Sequence, residues 1–153
     1  MGQGAGIALG MAVVGKMERN YNVYCIVGDG ECNEGSIWEL ALYASTNKLN
    51  NFTLIIDYNK QQGMGSSDNI IDLSNLKNIF TSIGWNTVDI DGHNYEQIEY
   101  ELLHNRNDKP KCIVAHTIKG KGVSFMENNI LWHYRDPQNE YFTLALKELE
   151  ESL

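Results

Sequence analysis

Asp29 stands between Gly28 and Gly30, directly after the apolar run NVYCIV at 22–27. Thirty residues on, Asn59 stands two residues after a second apolar run, FTLIID at 52–57. Short apolar runs bounded by polar residues and glycine read as buried strands. If both strands lie in one parallel sheet, Asp29 and Asn59 reach the same carboxyl edge, where ligands of such sheets bind. A carboxylate, a side-chain amide oxygen and a backbone carbonyl form a hard-oxygen set suited to magnesium or calcium. Magnesium takes its remaining ligands from water and phosphate, so such a set can hold a phosphate through the metal. The flanking glycines allow a sharp turn and the close approach of a ligand. Taken alone, the pair also reads as a turn aspartate and a loop asparagine.

The rest of the chain must bring these residues together. Residues 4–17 read as a helix rich in small residues, in which Gly6 and Gly10 imply close packing against another backbone. A helix over 36–48 carries Ile37, Leu40, Ala41 and Ala44 on one face, with Ser36 as N-cap. Next come a helix at 74–83 closed by Gly84, a strand at 85–90, and a helix at 93–106 with Asn94 and Gln97 in capping-box spacing. A strand at 111–118 and an amphipathic helix at 140–152 complete the order. Strands alternate with helices and are apolar throughout. The expected class is α/β, a doubly wound, mainly parallel sheet with helices on both faces. With no internal repeat or linker, residues 1–153 read as a single domain. The stretches 28–35, 57–66 and 117–135 all follow strands and can meet on one edge.

The 153 residues, 42% of them hydrophobic, suffice for one compact core. A net charge of −8 argues against nucleic acid or an anionic membrane as partner. It leaves room for a phosphate ligand carried by a cation and helix N-termini. Cys25, Cys32 and Cys112 form no C-x-x-C, and their odd count fits a reducing, cytoplasmic setting. The apolar start lacks the basic residues of a signal peptide, and no run of eighteen apolar residues exists. GMAVVGKM at 10–17 has Met17 where a P-loop needs Ser or Thr, and GDGECNEG has Asn33 where a dinucleotide fingerprint needs glycine. His104 reads as a surface residue and His93 as a turn residue, while His116 fits either core or site.

The whole stretch GDGECNEGSIWELALYASTNKLNNFTLIIDYNKQQ resembles the transketolase family, in the version split into two chains. The likeness runs from GQGAGIALGMA to the C-terminus. It implies that thiamine diphosphate is bound through Mg2+ or Ca2+, with Asp29, the side chain of Asn59 and the backbone carbonyl of Gln61 as metal ligands. Gly28 and Gly30 would let the diphosphate approach, and Gly2 would belong to a loop lining the cofactor. Glu34 and Glu39 match acidic residues at the subunit interface, and Glu34 is carried over as a catalytic residue. His133 matches a histidine that reaches the diphosphate and substrate and assists proton transfer. Lys119 and Lys121 would favour anions nearby. The resemblance implies a transferase of carbohydrate metabolism that passes a two-carbon ketol unit between sugar phosphates. It also implies a second chain carrying the aminopyrimidine-binding domain, in a homo- or hetero-oligomer. Relative to the family pattern the chain lacks residues before the GQG region, so the isolated chain is expected to be inactive. The alternatives are a subunit of another thiamine diphosphate enzyme, of the 2-oxo acid dehydrogenase or 1-deoxyxylulose-phosphate synthase type, and a non-catalytic cofactor-binding remnant.

Overall fold

The computed structural model describes residues 1–19, 21–104 and 108–151. In chain order they form α1 (Gln3–Val14), β1 (Val23–Gly28), α2 (Gly35–Thr46), β2 (Phe52–Tyr58), β3 (Gln61–Gln62), β4 (Gly65–Ser66), α3 (Ser67–Ile70), α4 (Leu76–Ser82), β5 (Asn86–Asp91), α5 (Tyr95–Leu103), β6 (Lys111–His116) and α6 (Glu140–Glu151). The main sheet has four strands in the order β1-β2-β6-β5. All three pairings are parallel. Gly28 lies opposite Asp57, Tyr58 opposite His116, and Asp91 opposite His116, so every strand ends at one edge.

The expected α/β class holds, with a difference between the faces. One face packs against α1, α2 and α4 through Ala5, Ala8, Ala12, Ile37, Leu40, Ala41, Ala44, Leu76 and Phe80. Among the described residues, the other is covered at β5, β6 and Ile55, by Ile98 and Leu102 of α5. The central strands are therefore apolar on both sides. Edge strand β1 alternates, with Tyr24 and Ile26 of the uncovered face 48% and 71% exposed. Phe52, Phe80 and Trp85 meet edge to face, and Trp38 tilts against Phe80. Trp85 donates its indole N–H to the carbonyl of Ala41 at 2.8 Å, which ties α2 to the start of β5.

Several local expectations change. Gly6 and Gly10 face open space, and the close backbone packing expected of them is absent from this chain. Helix α1 instead buries its alanines and presents Ile7, Met11 and Val14 outward, before passing into a π-helical turn at Gly15–Arg19. The N-cap of α2 is Glu34, not Ser36, and no side chain caps the helix. Asn94 caps α5 by accepting from the backbone N–H of Gln97. Gln97 does not return the bond to Asn94; its side chain accepts from Asp91 instead, so half of the capping box forms. Helix α4 is closed by Gly84 at φ 99°, as expected of a left-handed C-terminal glycine. Residues 105 and 106 of the expected 93–106 helix, and 152 of the expected 140–152 helix, lie outside the described residues. Sequence reading also missed the buried Lys111, whose ammonium caps α5 by donating to the carbonyls of Glu101 and His104 and pairing with Glu101.

Phe80 is fully buried between Trp38 and Trp85. Phe80→Ala is expected to cost about 3–5 kcal/mol of folding stability, measured by urea unfolding. A loss below about 1 kcal/mol would show that the cluster does not hold the covered face together.

Candidate functional site

Strand β1 delivers Asp29 into the first turn of a 3-10 helix, Asp29–Asn33. Asp29 is only 2% exposed. Its carboxylate accepts from the hydroxyl of Ser67 at 2.8 Å, and the backbone N–H groups of Gly30 and Lys60 lie close enough to favour its charged form. Burial raises its pKa above the ordinary aspartate value; those groups oppose the rise, and the neighbouring Asp57 adds to it. None of the ion pairs found among the described residues involves Asp29.

Asn59 follows β2 directly. Its amide donates to Asp57 at 3.4 Å, and its Oδ1 accepts from the backbone N–H of Gln61 at 3.0 Å. A carboxylate can only accept and an N–H can only donate, so these two contacts fix which end of the amide is oxygen. Asp57 is held in turn by the hydroxyl of Thr117 from the end of β6. Three strand ends thus act on one asparagine. Lys60 takes a left-handed conformation at φ 62°, unusual for a side chain of its size, and the chain returns through the β3–β4 hairpin.

Gly28, Asp29, Gly30, Asn59, Gln61 and His133 line one cavity of about 470 Å³. Its size is within the range of small-molecule sites. Lys119, Tyr134 and Glu31 face the same space. The glycines of GDG do not serve as a sharp turn: Gly28 is extended at φ −76°, and neither glycine has a positive φ. Gly28 matters through what is absent, because a Cβ there would meet nothing and point into open space. The 3-10 turn and Gly28 thus leave backbone accessible to a ligand.

The remaining expected residues sit around this cavity or away from it. Gly2 does not line it; Met1 does. Gly2 donates to Glu31 Oε1 at 2.8 Å while Gly28 donates to Oε2 at 3.0 Å, so one carboxylate ties the start of α1 to the end of β1. Glu34 packs beside Gly2 at the start of α2, outside the cavity, and Glu39 is exposed on α2. Lys121 pairs with Glu127 and faces a neighbouring cavity of about 810 Å³ beyond Asn59 and Gln61. His93 has the expected turn role and also accepts from the N–H of Ile118 at 2.8 Å. His116 pairs with Asp89.

Sequence reading missed Ser67, Glu31 and Tyr134. Tyr134 donates its hydroxyl to the carbonyl of Gly63 at 2.8 Å, which joins the 130–134 loop to the hairpin. Only the serine in GMGSSDN, at the close of a polar loop, hinted at the first of them.

The donor set fits a divalent cation. It offers a buried carboxylate, a fixed amide oxygen and a neighbouring carbonyl, all hard oxygens, at a strand-end cavity. Fold and site together define a parallel α/β domain with an oxygen-lined pocket at the carboxyl edge of its sheet. The chain belongs to the transketolase family: residues 1–136 match the family model described as transketolase, thiamine diphosphate binding domain. Over its whole length it is 35% identical to one of the subunits of the apulose-4-phosphate transketolase of Phocaeicola vulgatus, covering 56% of that protein. It is 38% identical over 99% of its length to the 6-deoxy-6-sulfo-D-fructose transketolase subunit SqwG of a Clostridium species, again covering 56%. The crystal structure of transketolase from Campylobacter jejuni superposes on 98% of the chain with a TM-score of 0.90 at 30% identity, and the chain covers 25% of it. The chain thus spans about half the length of the two subunit relatives.

Gly63 permits the Tyr134 contact, since a Cβ there would collide with the tyrosine hydroxyl. Gly63→Ala is expected to speed amide hydrogen exchange of residues 61–67 while leaving the four main strands protected. Unchanged exchange in the hairpin would show that Tyr134 does not hold it.

Proposed function

We propose that this chain is the N-terminal part of a split transketolase, a single diphosphate-binding domain that holds thiamine diphosphate through Mg2+ or Ca2+. One observation carries this reading. The buried, unpaired carboxylate of Asp29 shares a cavity with Asn59, Gln61 and His133. A buried anion with no cationic partner is costly, and a bound divalent ion removes that cost. Asp29, the Asn59 oxygen and the Gln61 carbonyl would hold the ion, which would supply the positive charge that a diphosphate needs at this oxygen-lined site. Gly28 and Gly30 leave room for the diphosphate, while Gly2 acts one step removed through Glu31. His133 and Lys119 lie where they can meet an anion, and His133 is suited to holding or moving a proton at its ring nitrogen. When bound, the cofactor supplies a carbanion for two-carbon ketol transfer between sugar phosphates; the protein supplies position and proton handling.

The aminopyrimidine-binding domain comes from a second chain. The two relatives named as subunits support this, and so does apolar surface on α1 and α6. Ile7, Met11, Phe142 and Leu144 are each about half exposed or more. Glu34 and Glu39, on or beside α2, belong to this contact in the same reading. The three buried, unpaired cysteines suit a reducing cytoplasm, and no helix among the described residues is long and apolar enough to cross a membrane.

Calorimetric titration of thiamine diphosphate into the chain is expected to show binding that needs Mg2+ or Ca2+. Asp29→Ala is expected to weaken it by about a hundredfold, the scale of losing a metal ligand or its support. Binding indifferent to both the metal and Asp29 would overturn the site reading. Ketol transfer from a sugar phosphate should appear only when a second chain with the aminopyrimidine domain is added. Turnover by the purified chain alone would exclude the split arrangement.

A further inference from the structure

Ser67 joins two of the three elements that carry the oxygen donors. Its hydroxyl donates to Asp29 Oδ2 at 2.8 Å, and its backbone N–H donates to the carbonyl of Lys60 at 3.0 Å. Ser67 thus bridges Asp29 and Lys60 through its own two hydrogen bonds. Lys60 is the residue between Asn59 and Gln61, so this bridge ties both of those donors to the carboxylate. Ser67 is fully buried. Its place is set by the hairpin, in which Gln61 pairs with Ser66.

Loss of this hydroxyl takes one hydrogen bond from a buried carboxylate and so costs folding stability as well. The hydroxyl occupies Oδ2 of Asp29 and so restrains how the carboxylate turns. The left-handed Lys60 has the same consequence, since a strained residue persists where its surroundings over-determine it.

We propose that Ser67 is the positioning residue of the metal site, holding Asp29 and the Asn59–Gln61 turn in the geometry that a small, strictly octahedral ion requires. This rests on the metal reading above. It adds a selectivity: Mg2+ demands near-ideal geometry, whereas Ca2+ accepts irregular ligand sets. Loss of the Ser67 hydroxyl therefore acts on Mg2+ more than on Ca2+. A serine that only stabilised the hairpin would affect both ions alike.

The test titrates Mg2+ or Ca2+ into the full chain with thiamine diphosphate present, for wild type, Ser67→Ala, Ser67→Thr and Asp29→Ala. Melting temperatures of the ion-free proteins are read alongside. Supporters of an oriented ligand commonly contribute ten- to a hundredfold in metal affinity. Ser67→Ala is expected to weaken Mg2+ at least about tenfold and Ca2+ by no more than about threefold. Ser67→Thr, which keeps the hydroxyl, is expected to restore most of the Mg2+ affinity. If the buried site rejects the extra methyl, the ratio of the two ions in Ser67→Ala decides alone. Equal losses for both ions, or no loss while Asp29→Ala abolishes binding, would overturn the role of Ser67 and leave the metal site standing. Ion-independent binding by wild type would instead remove the metal reading and this proposal with it.

Discussion

The site depends on keeping one carboxylate dry. Asp29 is buried at the end of β1 with no cationic side chain found against it, and burial holds its pKa up. An ionised carboxylate out of water costs several kcal/mol unless other groups replace its hydration. Here two backbone N–H groups and one serine hydroxyl do so in part. Supplying them takes a 3-10 turn after β1, a left-handed residue after β2, and a hairpin that returns the chain to Ser67. The 59–67 loop is long because it must come back to the same aspartate.

The sheet makes this convergence possible at little cost. Parallel register ends β1, β2, β5 and β6 together, so Asp29, Asn59 and Thr117 start close without long excursions. The core behind them is rigid, with the Phe52, Phe80 and Trp85 cluster on the covered face. Coupling also runs outward. Glu31 bridges the N–H groups of Gly2 and Gly28, so the start of α1 is tied to the strand that carries Asp29. The other side of α1 presents Ile7 and Met11 to solvent. One helix is therefore tied to β1 at its start and carries apolar surface on its outer side.

Periodicity exposed the frame because the central strands are continuous apolar runs and α2 has a single apolar face. Asp29 and Asn59 could be found because a strand end fixes where the next residue lies. The resemblance added Gln61 and His133, which no local pattern marks. Glu31, Ser67 and Tyr134 could not be found that way: their partners are distant in sequence, and each is an ordinary polar residue in a loop. Gly6 and Gly10 of α1 misled for a related reason. A glycine in a helix signals that something comes close, and in this chain open space lies beside Gly6 and Gly10. Capping chemistry was misread where tertiary bonds competed, as Gln97 turned to Asp91 instead of Asn94.

What faces the cavity also says which part of the chemistry belongs here. Cys32, beneath the site, has its thiol pushed up to about 12 by burial and by the nearby Asp29 and Glu31, so it stays neutral and is no nucleophile. Glu31 has both carboxylate oxygens engaged by backbone N–H groups. Asp29 is held by the Ser67 hydroxyl. Among the described residues at this cavity, His133 supplies the one imidazole. Beside it stand Lys119, Tyr134, Met1 and Met64, with the oxygens of Asp29, Asn59 and Gln61 and the backbone of Gly28. In the proposed reading this surface positions the charged end of the cofactor, and groups for its reactive end come from another surface.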